Sequence, residues 1–205
     1  MFDKNIKNII FDFDGVILDS VPLKTEAFRK LFADYTIEKV EKLIEFHLEN
    51  GGVSRYEKIK YFFNVLLNKN INDDLILEYA KKYSRLTKKE LTNSKYLIND
   101  SFEFIKQNYQ KYNMHIASGT DENDLKYICN KLNLTRYFIT INGSPIKKGE
   151  IIKNILKSYK YKKNETIMIG DSITDFDAAK ENEIEFYGYN NEILNIKDNY
   201  IDKWM

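Results

Sequence analysis

The constraint that most limits the fold is an alternation. Short apolar, β-rich runs are separated by stretches of helical periodicity. Asn8–Phe13, Met114–Ser118, Tyr137–Ile141, Thr166–Gly170 and Glu185–Tyr189 read as strands. Runs without a polar alternate suit strands buried on both faces, as in a parallel sheet covered by helices. The helices between them are expected at Ser101–Tyr112, Asp124–Leu132, Glu150–Tyr159 and Phe176–Glu181. The first strand stands apart from the rest. After Gly15 and Pro22, "PLKTEAFRKLF" reads as a helix with Leu23, Ala27, Phe28, Leu31 and Phe32 inward. From Ile37 to Leu91 the pattern stays helical, with an apolar stripe at Val40, Leu43, Ile44, His47 and Leu48. "SRYE" at Ser54–Glu57 has the spacing of a capping box, and Asp73–Leu91 reads as a further helix.

The expected fold is therefore α/β: a Rossmann-like parallel sheet with helices on both faces and an inserted all-helical cap. Residues 1–17 and 94–205 form a discontinuous core and residues 18–93 the cap. The chain of 205 residues is 43% hydrophobic, enough for such a core. Its 32 Lys and Arg against 31 Asp and Glu leave a net charge of +1, which gives no electrostatic case for nucleic acid. One cysteine, Cys129, rules out an intramolecular disulfide. The charged segment MFDKNIKN is not a secretory leader, and no apolar run spans a bilayer, so a cytoplasmic protein without membrane partners is expected. The Asn-rich stretch from Asn190 carries no signal.

Polar residues cluster where these strands end. The first strand ends at Asp12 and Asp14, the second at Ser118, Gly119 and Thr120, and a later one at Gly170 and Asp171, followed by Asp175 and Asp177. Lys147 and Lys148 precede a helix. In an open α/β sheet the carboxyl ends of the strands form one ligand-binding edge. Taken singly, D-x-D is a common turn, Ser-Gly-Thr a helix cap and Lys-Lys a solvated pair. Together they converge on one edge. Unit charges 4 Å apart interact by roughly 4 kcal/mol near a surface. Asp12, Asp14 and Asp171 therefore call for a counter-charge, which a hard cation such as Mg2+ supplies together with Lys148. A site of this kind favours an anionic substrate.

These residues resemble the haloacid dehalogenase superfamily. The motif D-x-D-G-x-x-x-D runs from Asp12 through Asp14 and Gly15 to Asp19. Ser118 closes a strand, Lys148 precedes a helix, and G-D-S-x-x-D runs from Gly170 to Asp175. The resemblance implies Asp12 as nucleophile through an aspartyl-phosphate and Asp14 as general acid and base. It implies Mg2+ held by Asp12, the Asp14 carbonyl and Asp171, with Asp175 behind them. Gly15, Ser118, Gly119 and Lys148 are then expected around the phosphoryl group. Asp14 points to phosphate ester chemistry rather than dehalogenation.

The expected activity is a phosphatase acting on a small phosphorylated metabolite of the sugar, polyol or amino-alcohol class, in a monomer or weak homodimer. The alternative is a sugar-phosphate mutase resembling β-phosphoglucomutase, whose cap loop "GGVSR" (Gly51–Arg55) resembles. Lys24 stands where those mutases carry histidine, which weighs against that alternative. Lys24 and Arg55 are candidate substrate contacts, although Arg55 also reads as a solvated residue of a first helical turn. A phosphoacceptor signalling domain is the reading from another class; the mid-chain strand ends in Ser118, not Asp, which disfavours it. An inactive relative would have lost a motif. His47, His115 and Cys129 read as packing, and Tyr56 lies within reach of the cap loop.

Overall fold

A computed structural model describes residue 2 and residues 5–196 and 199–204. Among them, six parallel strands form one sheet in the order β3-β2-β1-β4-β5-β6. The strands are β1 (Asn8–Phe11), β2 (Asn113–Asp121), β3 (Thr140–Ser144), β4 (Thr166–Gly170), β5 (Glu185–Tyr189) and β6 (Tyr200–Ile201). The helices are α1 (Val21–Leu31), α2 (Ile37–Glu49), α3 (Arg55–Lys60), α4 (Asp73–Thr87), α5 (Asn99–Asn108), α6 (Glu122–Lys131), α7 (Lys148–Tyr159) and α8 (Ile173–Glu181). None of the helices is long and apolar enough to cross a membrane.

Period-2 alternation divides the apolar strands between two faces. Ile9 and Phe11 pack into one layer with Ile116, Ile167 and Ile169, whereas Ile10 joins Ala117 and Met168 under α7 and α8. β1 is central. It pairs with β2 on one side, Phe11 opposite Ile116, and with β4 on the other, Phe11 opposite Ile169. Chain order runs outward one way from β1 to β2 and β3, then crosses to β4. The crevice between β1 and β4 is thus the topological switch point where α/β sheets bind ligands.

The helices α1–α4 have a core of their own. Phe28, Phe32, Leu43, Ile59, Phe62 and Tyr83 are buried in it, and the helix α3 relaxes into a π-helical turn at Tyr61–Leu66. The insert joins the sheet through a two-stranded neck. Leu18 pairs antiparallel with Leu97, the Asp19 amide donates to the Tyr96 carbonyl at 2.7 Å, and the Ile98 amide to Ile17 at 3.0 Å. Leu18 and Leu91 themselves pack with the sheet core.

Several boundaries differ from the sequence reading. β2 continues to Asp121 through a register shift after Ala117. β3 begins at Thr140, because Thr135–Tyr137 forms a 3-10 turn that lays Tyr137 and Phe138 on the core without strand pairing. The described residues after Asn190, a stretch in which the sequence carried no signal, include a 3-10 turn at Glu192–Ile196 and the strand β6. The Trp204 ring stacks on Phe11 with centroids 6.3 Å apart.

Candidate active site

The strand β1 delivers Asp12 to the switch point. The Asp12 amide continues the ladder to Ile169 at 2.8 Å, while its side chain turns to the edge, 3% exposed. Its Oδ1 accepts from the Phe13 amide at 2.7 Å and from Lys148 Nζ at 3.0 Å. Lys148 opens α7, so the chain after β3 carries a cation into a site started by β1. Its ammonium bridges Asp12 and Asp175. Burial works against that charge, but the two carboxylates outweigh it and hold Lys148 above the usual lysine range. Asp175 is fixed by the capping box of α8. It accepts from the Ser172 amide at 3.1 Å and the Ser172 hydroxyl at 2.6 Å.

Asp171 follows β4 and lies against Gly15. Gly15 has φ +75°, and a Cβ there would strike the Asp171 carboxylate, so this position needs glycine on both counts. Burial, then the charges of Asp12 and Asp175, push Asp171 well above the ordinary carboxylate range. Burial and Asp175 likewise raise Asp12 to about 7, against the pull of Lys148.

Oxygens of Asp12, Asp171 and Asp175 all lie within 4.8 Å of one another. Three carboxylates exceed what one lysine cancels, and the donors are all oxygen. The set fits a hard divalent cation such as Mg2+. Asp175 stands in this group while it also holds Lys148 and Ser172. The Asp14 carboxylate is outside it and turns toward the cap.

There Asp14 meets Lys24 Nζ at 2.5 Å and Thr120 Oγ1 at 2.6 Å, and also accepts from Ser20. Lys24 donates to Thr120 at 2.7 Å, so α1 of the cap and β2 of the core grip Asp14 between them. Burial opposes ionisation of Asp14, but the Lys24 charge and these hydrogen bonds prevail and hold it at about 2. Ser118 is fully buried, 3.5 Å from Asp14 Oδ2, with its hydroxyl accepting from the Thr120 amide at 3.1 Å.

A cavity of about 320 Å3 lies between cap and core. Asp12, Asp14, Lys24, Gly119, Asp171 and Arg55 are among its walls. The cap loop rests directly on the core. The Gly52 amide donates to Thr174 Oγ1 at 3.0 Å, and a Cβ on Gly119 would strike the Gly52 carbonyl. Arg55 is not a solvated residue of the first turn. It is 7% exposed and pairs with Asp124 of α6 at 2.8 Å while also donating to Ser84 at 2.6 Å. Tyr56 hydrogen-bonds Asp121 at 2.6 Å. His115 bonds Thr140 at 2.7 Å and lies against Tyr161, and Cys129 is buried in the core.

Five residues of the site lie outside the metal, catalytic and substrate-binding candidates read from the sequence. Thr120 is two residues past Ser118, so strand alternation was the available clue. Asn191 donates to the Asp171 carbonyl at 2.8 Å and Asn190 to the Gly15 carbonyl at 3.0 Å, tying the C-terminal segment to both site turns. An Asn-Asn pair after a strand carries no distinctive signal. Lys58 and His47 also line the cavity.

A family profile described as haloacid dehalogenase-like hydrolase matches residues 9–189. A phosphorylated carbohydrates phosphatase of Thermotoga maritima is 28% identical over 190 residues, covering 88% of this chain and 83% of that protein. Among solved structures, β-phosphoglucomutase from Clostridium difficile superposes with a TM-score of 0.77 at 20% identity, over 97% of this chain and 91% of that one. CbbY from Rhodobacter sphaeroides, in complex with phosphate, gives 0.74 at 16% identity, over 97% and 95%. With four motifs gathered at one switch point and a profile that spans most of the chain, this protein belongs to the haloacid dehalogenase-like hydrolase family.

Proposed function

We propose that the protein is a Mg2+-dependent phosphatase that hydrolyses a small phosphate monoester through an aspartyl-phosphate on Asp12. The observation that carries this reading is the division of labour between Asp12 and Asp14. Asp12 sits with Lys148, Asp171 and Asp175, and Asp14 sits two residues on in a separate hydrogen-bonded pocket. This separation supports a reading in which one carboxylate attacks and the other moves a proton.

In the first step an Asp12 carboxylate oxygen attacks phosphorus and the ester P–O bond breaks. The departing oxygen takes a proton from Asp14. In the second step water attacks phosphorus and gives its proton to Asp14, and the bond to the Asp12 oxygen breaks to restore the carboxylate. Asp12 and Asp171 would hold Mg2+ with the Asp14 carbonyl, and Asp175 stands beside them. When bound, the ion supplies positive charge to the phosphoryl oxygens. Lys148, the Ser118 hydroxyl and the Gly119 amide add to that charge. Asp14 is ionised beside Lys24 in the free protein. A dianionic ester arriving next to it raises its proton affinity toward the range that a general acid needs.

Two features favour hydrolysis over positional isomerisation. Lys24 is ion-paired to Asp14, and Arg55 of the GGVSR loop is committed to Asp124 and Ser84. Neither is left as a free hand for a sugar. The test is phosphate release from sugar, polyol and amino-alcohol phosphates. Activity is expected to vanish in excess chelator, return with Mg2+, and fall by at least a thousandfold in Asp12→Asn. Rapid conversion of β-glucose 1-phosphate to a positional isomer with little free phosphate would replace this reading with the mutase.

A further inference from the structure

One polar pair on the cavity wall has no task in the reaction above. Lys58 of α3 is 2% exposed, and its Nζ lies 2.8 Å from His47 Nδ1. His47 of α2 is 5% exposed, and its Nε2 has no hydrogen-bond partner among the described residues. Both residues line the same cavity as Asp12, Asp14 and Asp171. An ammonium has only donors, so a charged Lys58 makes Nδ1 the acceptor and leaves the hydrogen on Nε2. The cap wall therefore presents an ammonium and an unused N–H together.

Charge balance singles out this pair. The cavity's other cations have carboxylate partners: Lys24 has Asp14, and Arg55 has Asp124. Among the described residues Lys58 forms no such ion pair, and the Phe28 ring, 5.0 Å from that of His47, lines the same cavity with Tyr83. A buried charge without a counter-charge is costly, and so is a buried donor without an acceptor. An oxyanion placed there would satisfy both. Burial, then repulsion from Lys24, lower Lys58 to about 7. A neighbouring anion would restore its proton affinity.

We infer that Lys58 and His47 form a second oxyanion subsite, which receives a carboxylate or second phosphate of the substrate while the ester phosphoryl lies at Asp12. The inference rests on the phosphatase reading for its reacting end only. A cavity of about 320 Å3 suits a short, doubly anionic molecule such as a phosphorylated sugar acid or a sugar bisphosphate.

Calorimetry on the Mg2+-loaded Asp12→Asn chain reads the subsite without turnover. The probes are gluconate 6-phosphate, fructose 1,6-bisphosphate and the neutral-tailed sorbitol 6-phosphate. At least one doubly anionic probe is expected to bind tenfold or more tighter than sorbitol 6-phosphate, and which one does tells carboxylate from phosphate. Adding Lys58→Met is expected to erase that ratio. Equal affinity for all three, or a ratio that survives Lys58→Met, overturns the subsite. Turnover by the wild-type chain reads the other claim. If no ester releases phosphate while the binding ratio holds, the phosphatase reading fails and the subsite stands.

Discussion

Lys58 shows how a single side chain can oppose the fold that holds it. In the unfolded chain a lysine titrates near 10.5, whereas in the fold burial brings it to about 7. Between these values the unfolded state binds the extra proton, so stability rises with pH from about 7 to about 10.5. That gap corresponds to a handicap on the order of 5 kcal/mol at and below neutral pH. His47 acts in the same sense lower down. Burial, with Lys58 and Lys24 nearby, takes it from 6.5 to about 2, so stability is lost as pH falls below about 6.5. Lys58→Met, which keeps the length and removes the charge, is expected to raise the melting temperature at pH 7 and to flatten the rise toward pH 10. A melting curve for the variant that tracks wild type across that range would show that Lys58 is not held against its ionisation.

Elements meet at glycines where nothing larger fits. Gly15 joins β1 to the neck in a left-handed conformation, pressed against the Asp171 carboxylate of the β4 turn. Gly15→Ala adds backbone strain of roughly 1–2 kcal/mol. A methyl group also drives Asp171 from its place. A drop of about 2–8 °C in melting temperature is expected, with weaker retention of Mg2+; an unchanged melt and metal affinity would show that Asp171 yields freely. The strands that frame these turns were legible because each is a short apolar run bounded by turn residues. Thr166–Gly170 and Glu185–Tyr189 fall where the pattern puts them. Tyr137 and Phe138 misled because an aromatic pair on a 3-10 turn buries area without forming a ladder. The carboxylates at the strand ends were readable for the opposite reason: charge is out of place where a buried strand stops. Arg55 and Lys58 were not readable as buried groups. A charged residue in a short helix looks solvated until its neighbours are known, and Asp124 is 69 positions from Arg55.

At the scale of the molecule, two apolar cores meet across a polar seam. The cap core and the sheet core are separate clusters. Among the contacts between them are Lys24 with Thr120, Tyr56 with Asp121, Gly52 with Thr174, and Asp124 with Arg55 and Lys88, the last at 3.2 Å. Hydrogen bonds to charged groups contribute about 1.5–3 kcal/mol each, so opening the cap is expected to cost these contacts and neither core. Asp124 is the hub. Breaking a buried pair costs about 3–5 kcal/mol when the remaining charge stays buried. Opening the cap lets Arg55 reach water instead. Asp124→Asn is therefore expected to enlarge the radius of gyration in solution scattering and to raise KM severalfold, with little change in core melting. A variant as compact as wild type, with the same KM, would remove Asp124 from that role. The neck gives the arrangement a further meaning. The chain leaves the sheet at Asp19 and returns at Tyr96, and these two residues are hydrogen-bonded to each other. An insert whose two ends already touch can be excised or transplanted as one piece of gene. A short turn from Asp19 to Tyr96 would leave the strand order and Asp12 in place. Trading that piece would renew the cap walls of the cavity and, with Lys24, the partner that grips Asp14.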